Sequence, residues 1–103
     1  MFEAAVRVVG LFAFQATQGF FGIIISMYHN DHAPRQFHVS YGEAEAVIAI
    51  DSLAVIASRL PPRVLALVLE WGARHRDELR VNWELARQGL PLRRIVPLDQ
   101  EAP

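Results

Sequence analysis

From Pro62 to Gln88 the chain keeps a single period. Val64, Leu67, Val68, Trp71, His75, Leu79, Trp83 and Ala86 recur at three- and four-residue steps, the apolar stripe of an amphipathic helix. Pro62 suits the first helical turn, where a missing N–H costs nothing. No further proline intervenes until Pro91, and Gly89 follows Arg87 and Gln88 as a helix-stop residue. Glu70 with Arg74, and Glu84 with Arg87, sit at spacings that let opposite charges meet on a helix surface. One uninterrupted helix over this span would be roughly 40 Å long. A domain of this size has a radius of gyration near 13 Å. The helix is therefore expected to kink or split, either at Gly72 or in the polar stretch Arg74-His75-Arg76-Asp77. Its stripe needs an apolar surface to lie on, and the first half of the chain must supply it. Burial is expected for both Trp71 and Trp83. His75 is expected to bond a carbonyl of the hairpin or to mark the helix edge.

Before Pro62 the period is that of strands. Phe20 to Tyr28 is almost continuously apolar, as in a strand covered on both faces. Gly22 inside it suggests a bulge or a close backbone approach. His29 to Gln36 is polar and carries Asn, Asp and Pro, so it reads as a loop. Phe37 to Tyr41 alternates, with Phe37, Val39 and Tyr41 on one side and His38 and Ser40 on the other. Gly42-Glu43 is a tight turn, and Glu45 to Ile50 is the return strand of a hairpin. Asp51-Ser52 breaks it, Leu53 to Ala57 reads as a further short strand, and Leu60-Pro61-Pro62 closes this half. After the helix, Leu92 to Leu98 reads as a short edge strand, kept off a sheet centre by Pro97. The expected fold is α+β: a small antiparallel sheet, made of the hairpin and an N-terminal strand, packed against one long or kinked C-terminal helix. The short C-terminal strand would lie at its edge. In this reading residues 1–19 are an N-terminal extension, 20–98 a single domain and 99–103 a frayed tail.

Composition narrows the function classes. Of 103 residues, 52% are hydrophobic and 20% charged, which excludes a disordered chain. The net charge of −1 leaves no cationic excess to hold nucleic acid by phosphate neutralisation alone. With no cysteine, the chain has no disulfides, zinc thiolate sites or cysteine nucleophile. All ten basic residues are Arg. A GC-rich genome accounts for that, and the planar guanidinium also suits anion recognition. The apolar run Val6 to Phe14 carries Arg7. It lacks a clean small-x-small cleavage site and falls short of the roughly 20 residues that span a bilayer. A cytoplasmic protein with no membrane partner is expected.

Chemistry concentrates in one stretch. His29, His32 and His38 fall within ten residues, with Asp31 among them. Imidazole with carboxylate suits a divalent transition metal and also general acid–base catalysis. No established ligand spacing such as H-E-x-x-H is present. In the plainer reading Asp31 caps the turn while His32 and His38 bond local carbonyls. In the functional reading His32 and His38 act as base and acid of one solvent-accessible site, with Asp31 and Arg35 at its rim. Pro34 stiffens the path between the two histidines. Tyr28 and Tyr41, at strand ends, complete the binding candidates. Arg93-Arg94 can touch phosphate, or can serve as a solvated pair that discourages edge-strand aggregation.

Several of these segments resemble one family. They are Phe21-Gly22-Ile23-Ile24-Ile25, Met27-Tyr28, Asn30-Asp31-His32-Ala33-Pro34, Phe37-His38-Val39, Leu60-Pro61, Leu69-Glu70-Trp71 and Asn82-Trp83-Glu84-Leu85-Ala86-Arg87-Gln88-Gly89. Together they resemble the small bacterial family known as domain of unknown function 4160, over about residues 20 to 98. The family's loop usually reads Asp-His-x-Pro-Pro-His-x-His. This chain keeps Asp31, His32, Pro34 and His38 but has Arg35 for the second proline and Gln36 for the middle histidine. A metal site relying on that histidine is incomplete here, so neither tightly bound zinc nor any cofactor is expected. The family carries no established activity, and its genes commonly lie beside a second small family in an arrangement like a toxin–antitoxin pair. The resemblance implies a protein-interaction module that pairs with a neighbour-encoded small protein or with itself, and an enzyme is not expected. The alternatives are a metal-independent toxin-type ribonuclease acting on RNA through His32 and His38, and a divalent-metal-binding protein.

Overall fold

The computed structural model describes residues 22–27 and 34–97. Four strands form one antiparallel sheet in the order β1-β2-β3-β4: β1 Ile23–Ser26, β2 Gln36–Tyr41, β3 Ala44–Ala49 and β4 Val55–Ser58. Two helices follow, α1 Pro62–Arg74 and α2 Arg76–Arg87. The architecture is α+β as expected, with the long helix in two pieces. The proposed extension 1–19, the tail 99–103, and residues 20, 21 and 28 of the first expected strand lie outside the described residues.

The hairpin turns where it was expected to. Tyr41 pairs with Ala44 across Gly42-Glu43, and Gly42 has φ 59°, the positive value that a two-residue turn of matching twist requires. Register then sorts the side chains. Ile25, Val39 and Ala46 form one row and Phe37 with Ile48 another, all buried on the face that meets the helices. His38, Ser40 and Val47 alternate onto the second face and are half-buried.

Both helices lay their apolar stripes on the first face. Val64, Val68 and Trp71 of α1 join Leu79, Trp83 and Ala86 of α2 in one core with the strand residues. Trp71 is fully buried and meets the Phe37 ring edge-on, with centroids 6.2 Å apart at 73°. The helix breaks at His75 (φ −121°, ψ 28°), inside the polar stretch. Gly72 is not the kink. It lies within α1 at the closest approach to the sheet, where a Cβ would sit 3.2 Å from Leu53 Cδ2 and 3.5 Å from Phe37 Cζ. His75 marks the helix boundary, and its Nδ1 pairs with Glu78 rather than with a hairpin carbonyl. Asp77 and Glu78 stand in the first turn of α2, where the helix dipole favours acids.

The expected edge strand Leu92 to Leu98 does not form over the described residues 92–97. A strand needs a ladder partner. Here the backbone groups bond helix side chains instead. Asn82, only 2% exposed, donates from Nδ2 to the Arg93 carbonyl at 2.9 Å and accepts the Arg93 N–H on Oδ1 at 2.8 Å. The Trp71 indole donates to the Val96 carbonyl at 2.9 Å. Pro91 and Pro97 have no N–H to contribute to a ladder. The outer strands among the described residues are β1 and β4, so Arg93-Arg94 guards no sheet edge.

Asn82→Ala removes both partners of Arg93 from a part-buried site. A buried polar group left unpaired costs about 1–3 kcal/mol. A loss near 2 kcal/mol is expected in urea unfolding, and a variant as stable as the parent would show that Asn82 does not pin the segment.

Candidate functional site

The residues proposed from sequence divide into three placements. Tyr28, His29, Asp31 and His32 lie outside the described residues, so their convergence with His38 is not on view. His38 stands in the middle of β2 on the face away from the helices. Its cross-strand neighbours are Ser26 on β1 and Val47 on β3, and Ser26 is only 8% exposed. This is the face that alternation assigned to it once Phe37 and Val39 faced the core. Tyr41 is three residues further along, an odd spacing, and shares the helix-side face with Ile23 and Ala44. His38 and Tyr41 therefore belong to opposite faces of the sheet.

Arg35 has a defined partner. Its Nε and Nη2 donate to Asp51 Oδ2 and Oδ1 at 3.1 and 3.2 Å, a two-point fork on one carboxylate. Its backbone carbonyl accepts the Ile50 N–H at 2.8 Å, so the chain before β2 is held beside the end of β3. Asp51 also accepts from Arg80 Nε at 2.7 Å, and Arg80 Nη1 donates to Asp77 at 2.8 Å. The result is a four-residue ion network joining the start of β2, the β3–β4 turn and the first turns of α2. The arginines, Arg80 first and then Arg35, hold the Asp51 carboxyl below the usual carboxylate range. Asp51 in turn raises Arg80. From sequence, Asp51 reads only as a strand breaker and Arg80 as one more charged residue of the helix. The i,i+3 pairing of Asp77 with Arg80 was the one available signal, since the Arg35–Asp51 contact spans 16 residues.

Among the described residues no cluster of three His, Asp or Glu is placed to hold a metal ion, and no helix is long and apolar enough to cross a membrane. A family model described as Domain of unknown function (DUF4160) matches residues 22–84. The chain belongs to this family. The match takes in all four strands, α1 and most of α2. It starts at Gly22 and ends before the segment that Asn82 and Trp71 hold. No curated protein and no solved structure matches the chain.

The Asp51 network fixes a pH dependence. A carboxyl whose pKa is lower in the folded state stabilises the fold above its unfolded pKa, near 4. That stability is lost as pH falls through the folded value. Asp51→Asn should be less stable than the parent at pH 7, and in urea unfolding at a pH below the unfolded value the difference should be smaller. A constant difference at both pH values would show that the carboxylate charge is not what holds Arg35 and Arg80.

Proposed function

We propose that this DUF4160 chain is a protein-interaction module, one component of a toxin–antitoxin-like pair, that takes its neighbour-encoded partner on the edge of β4, which no strand covers among the described residues. The observation that supports this is the edge itself. All four residues of β4 are exposed, Val55 by 41% and Ile56 by 49%. The strand Val55-Ile56-Ala57-Ser58 contains no charge and no proline. Proteins usually guard an edge with such residues, because its unpaired N–H and C=O groups template another strand. The guard here is one register irregularity opposite Val47/Ile48. An added strand would extend the ladder through its backbone and cover Val55 and Ile56 with alternate side chains.

A second reading, a metal-independent ribonuclease using His32 and His38, draws support from the half-buried position of His38 on the face opposite the helices. The engagement of Arg35 with Asp51 counts against Arg35 as its phosphate ligand.

The deciding experiment is co-purification with the neighbour-encoded protein, with RNA cleavage assayed for each component. Ile56→Lys should reduce capture at least about tenfold, roughly 1.4 kcal/mol, with an unchanged melting temperature. Undiminished capture would remove β4 from the interface. RNA cleavage that disappears in both His32→Ala and His38→Ala, with folding intact, would favour the ribonuclease instead.

A further inference from the structure

On the face of the sheet turned away from the helices, Val47 of β3 stands opposite Ala57 of β4. Val47 is half-buried, and Ala57 is small and exposed. Over this pair lies an open groove of about 460 Å³. Its walls include Glu43 from the hairpin turn, Glu45 from β3 and Arg59 from just after β4. Glu45 pairs with Ser40 and so shares the face of Val47. The Arg59 N–H donates to the Glu45 carbonyl at 2.8 Å, which extends the ladder and sets Arg59 opposite Glu45. The side chains of Glu43, Glu45 and Arg59 make no hydrogen bond or ion pair among the described residues.

β4 is an outer strand of the sheet, so a strand added to it would run beside this groove. Side chains of an added strand alternate, and the one opposite Ala57 would stand on the groove face. Two carboxylates meet one guanidinium there. Arg59 can answer one of them across the ladder, which leaves a negative charge over. That charge opposes a phosphate or an acidic side chain. A metal ion is poorly served, because among the described residues no third His, Asp or Glu joins the pair. An aliphatic residue would cover the floor and leave the carboxylate unanswered. A lysine or arginine does both, since its stem lies on apolar surface while its charged end stays at the wet rim.

We propose that the strand which β4 accepts carries a basic residue opposite Ala57, its stem over Ala57 and Val47 and its cation on the Glu43 and Glu45 carboxylates. This rests on the edge reading of β4 and adds the chemistry of the partner strand.

The test titrates the full-length ¹⁵N-labelled chain with three blocked peptides, Thr-Val-Lys-Val-Thr, Thr-Val-Gln-Val-Thr and Thr-Val-Glu-Val-Thr, which differ only in the residue meant for Ala57. The Val55, Ala57 and Ser58 amide signals should shift saturably. The lysine peptide should bind at least about threefold tighter than the glutamine peptide, the scale of solvent-exposed ion pairs, and the glutamate peptide should bind weakest. Glu43→Gln combined with Glu45→Gln should erase the lysine preference and leave the melting temperature unchanged, because the fold uses neither carboxylate. No saturable shift with any peptide would overturn this inference, and shifts centred away from β4 would remove the edge reading with it. Equal affinities for the three peptides, with shifts on β4, would overturn this inference alone. So would a preference for glutamate, or a lysine preference that survives the double substitution.

Discussion

Trp71 is the point through which the parts of this fold are joined. Its ring is fully buried against Phe37 of β2, and its indole N–H reaches the Val96 carbonyl. One side chain on α1 thus touches the sheet and the C-terminal segment together. A buried indole needs a partner for its N–H, and here the partner is a backbone group that no strand claims. The pairing satisfies both groups and decides where the chain after α2 must run. With that segment in place, Asn82 can take the Arg93 backbone and Ile95 can close the core.

The approach of α1 to the sheet depends on two unusual residues that answer each other. Leu53 adopts φ 61°, a left-handed conformation that disfavours an L side chain by about 1–2 kcal/mol. In that conformation its side chain lies under α1 beside the bare backbone of Gly72. The turn that sets Leu53 also carries Asp51, whose carboxylate ties β2 to α2 through Arg35 and Arg80. The β3–β4 turn therefore supports the helices from both an apolar and a charged side.

The sequence made some of this readable and withheld the rest for physical reasons. Periodicity is local, so the helical stripe, the hairpin at Gly42 and the inward set Phe37 and Val39 could be read directly. The division at His75 was foreseen as a region, because a helix of that length outruns the domain. The C-terminal segment misled because Leu92 to Leu98 has strand composition, whereas its backbone partners are side chains of α1 and α2 that composition does not reveal. Among site residues, the face of His38 followed from alternation. The engagement of Arg35 did not, since Asp51 lies 16 residues away and reads as a turn residue.

The central claim is that the Trp71 indole is locked onto Val96 inside the core. Native-state hydrogen exchange of the two tryptophan indole N–H groups tests it most directly. The Trp71 indole should exchange only with global unfolding, at the rate of the best-protected amides of β2 and β3. Exchange of that proton in the range of unstructured amides, while β2 and β3 stay protected, would contradict the account.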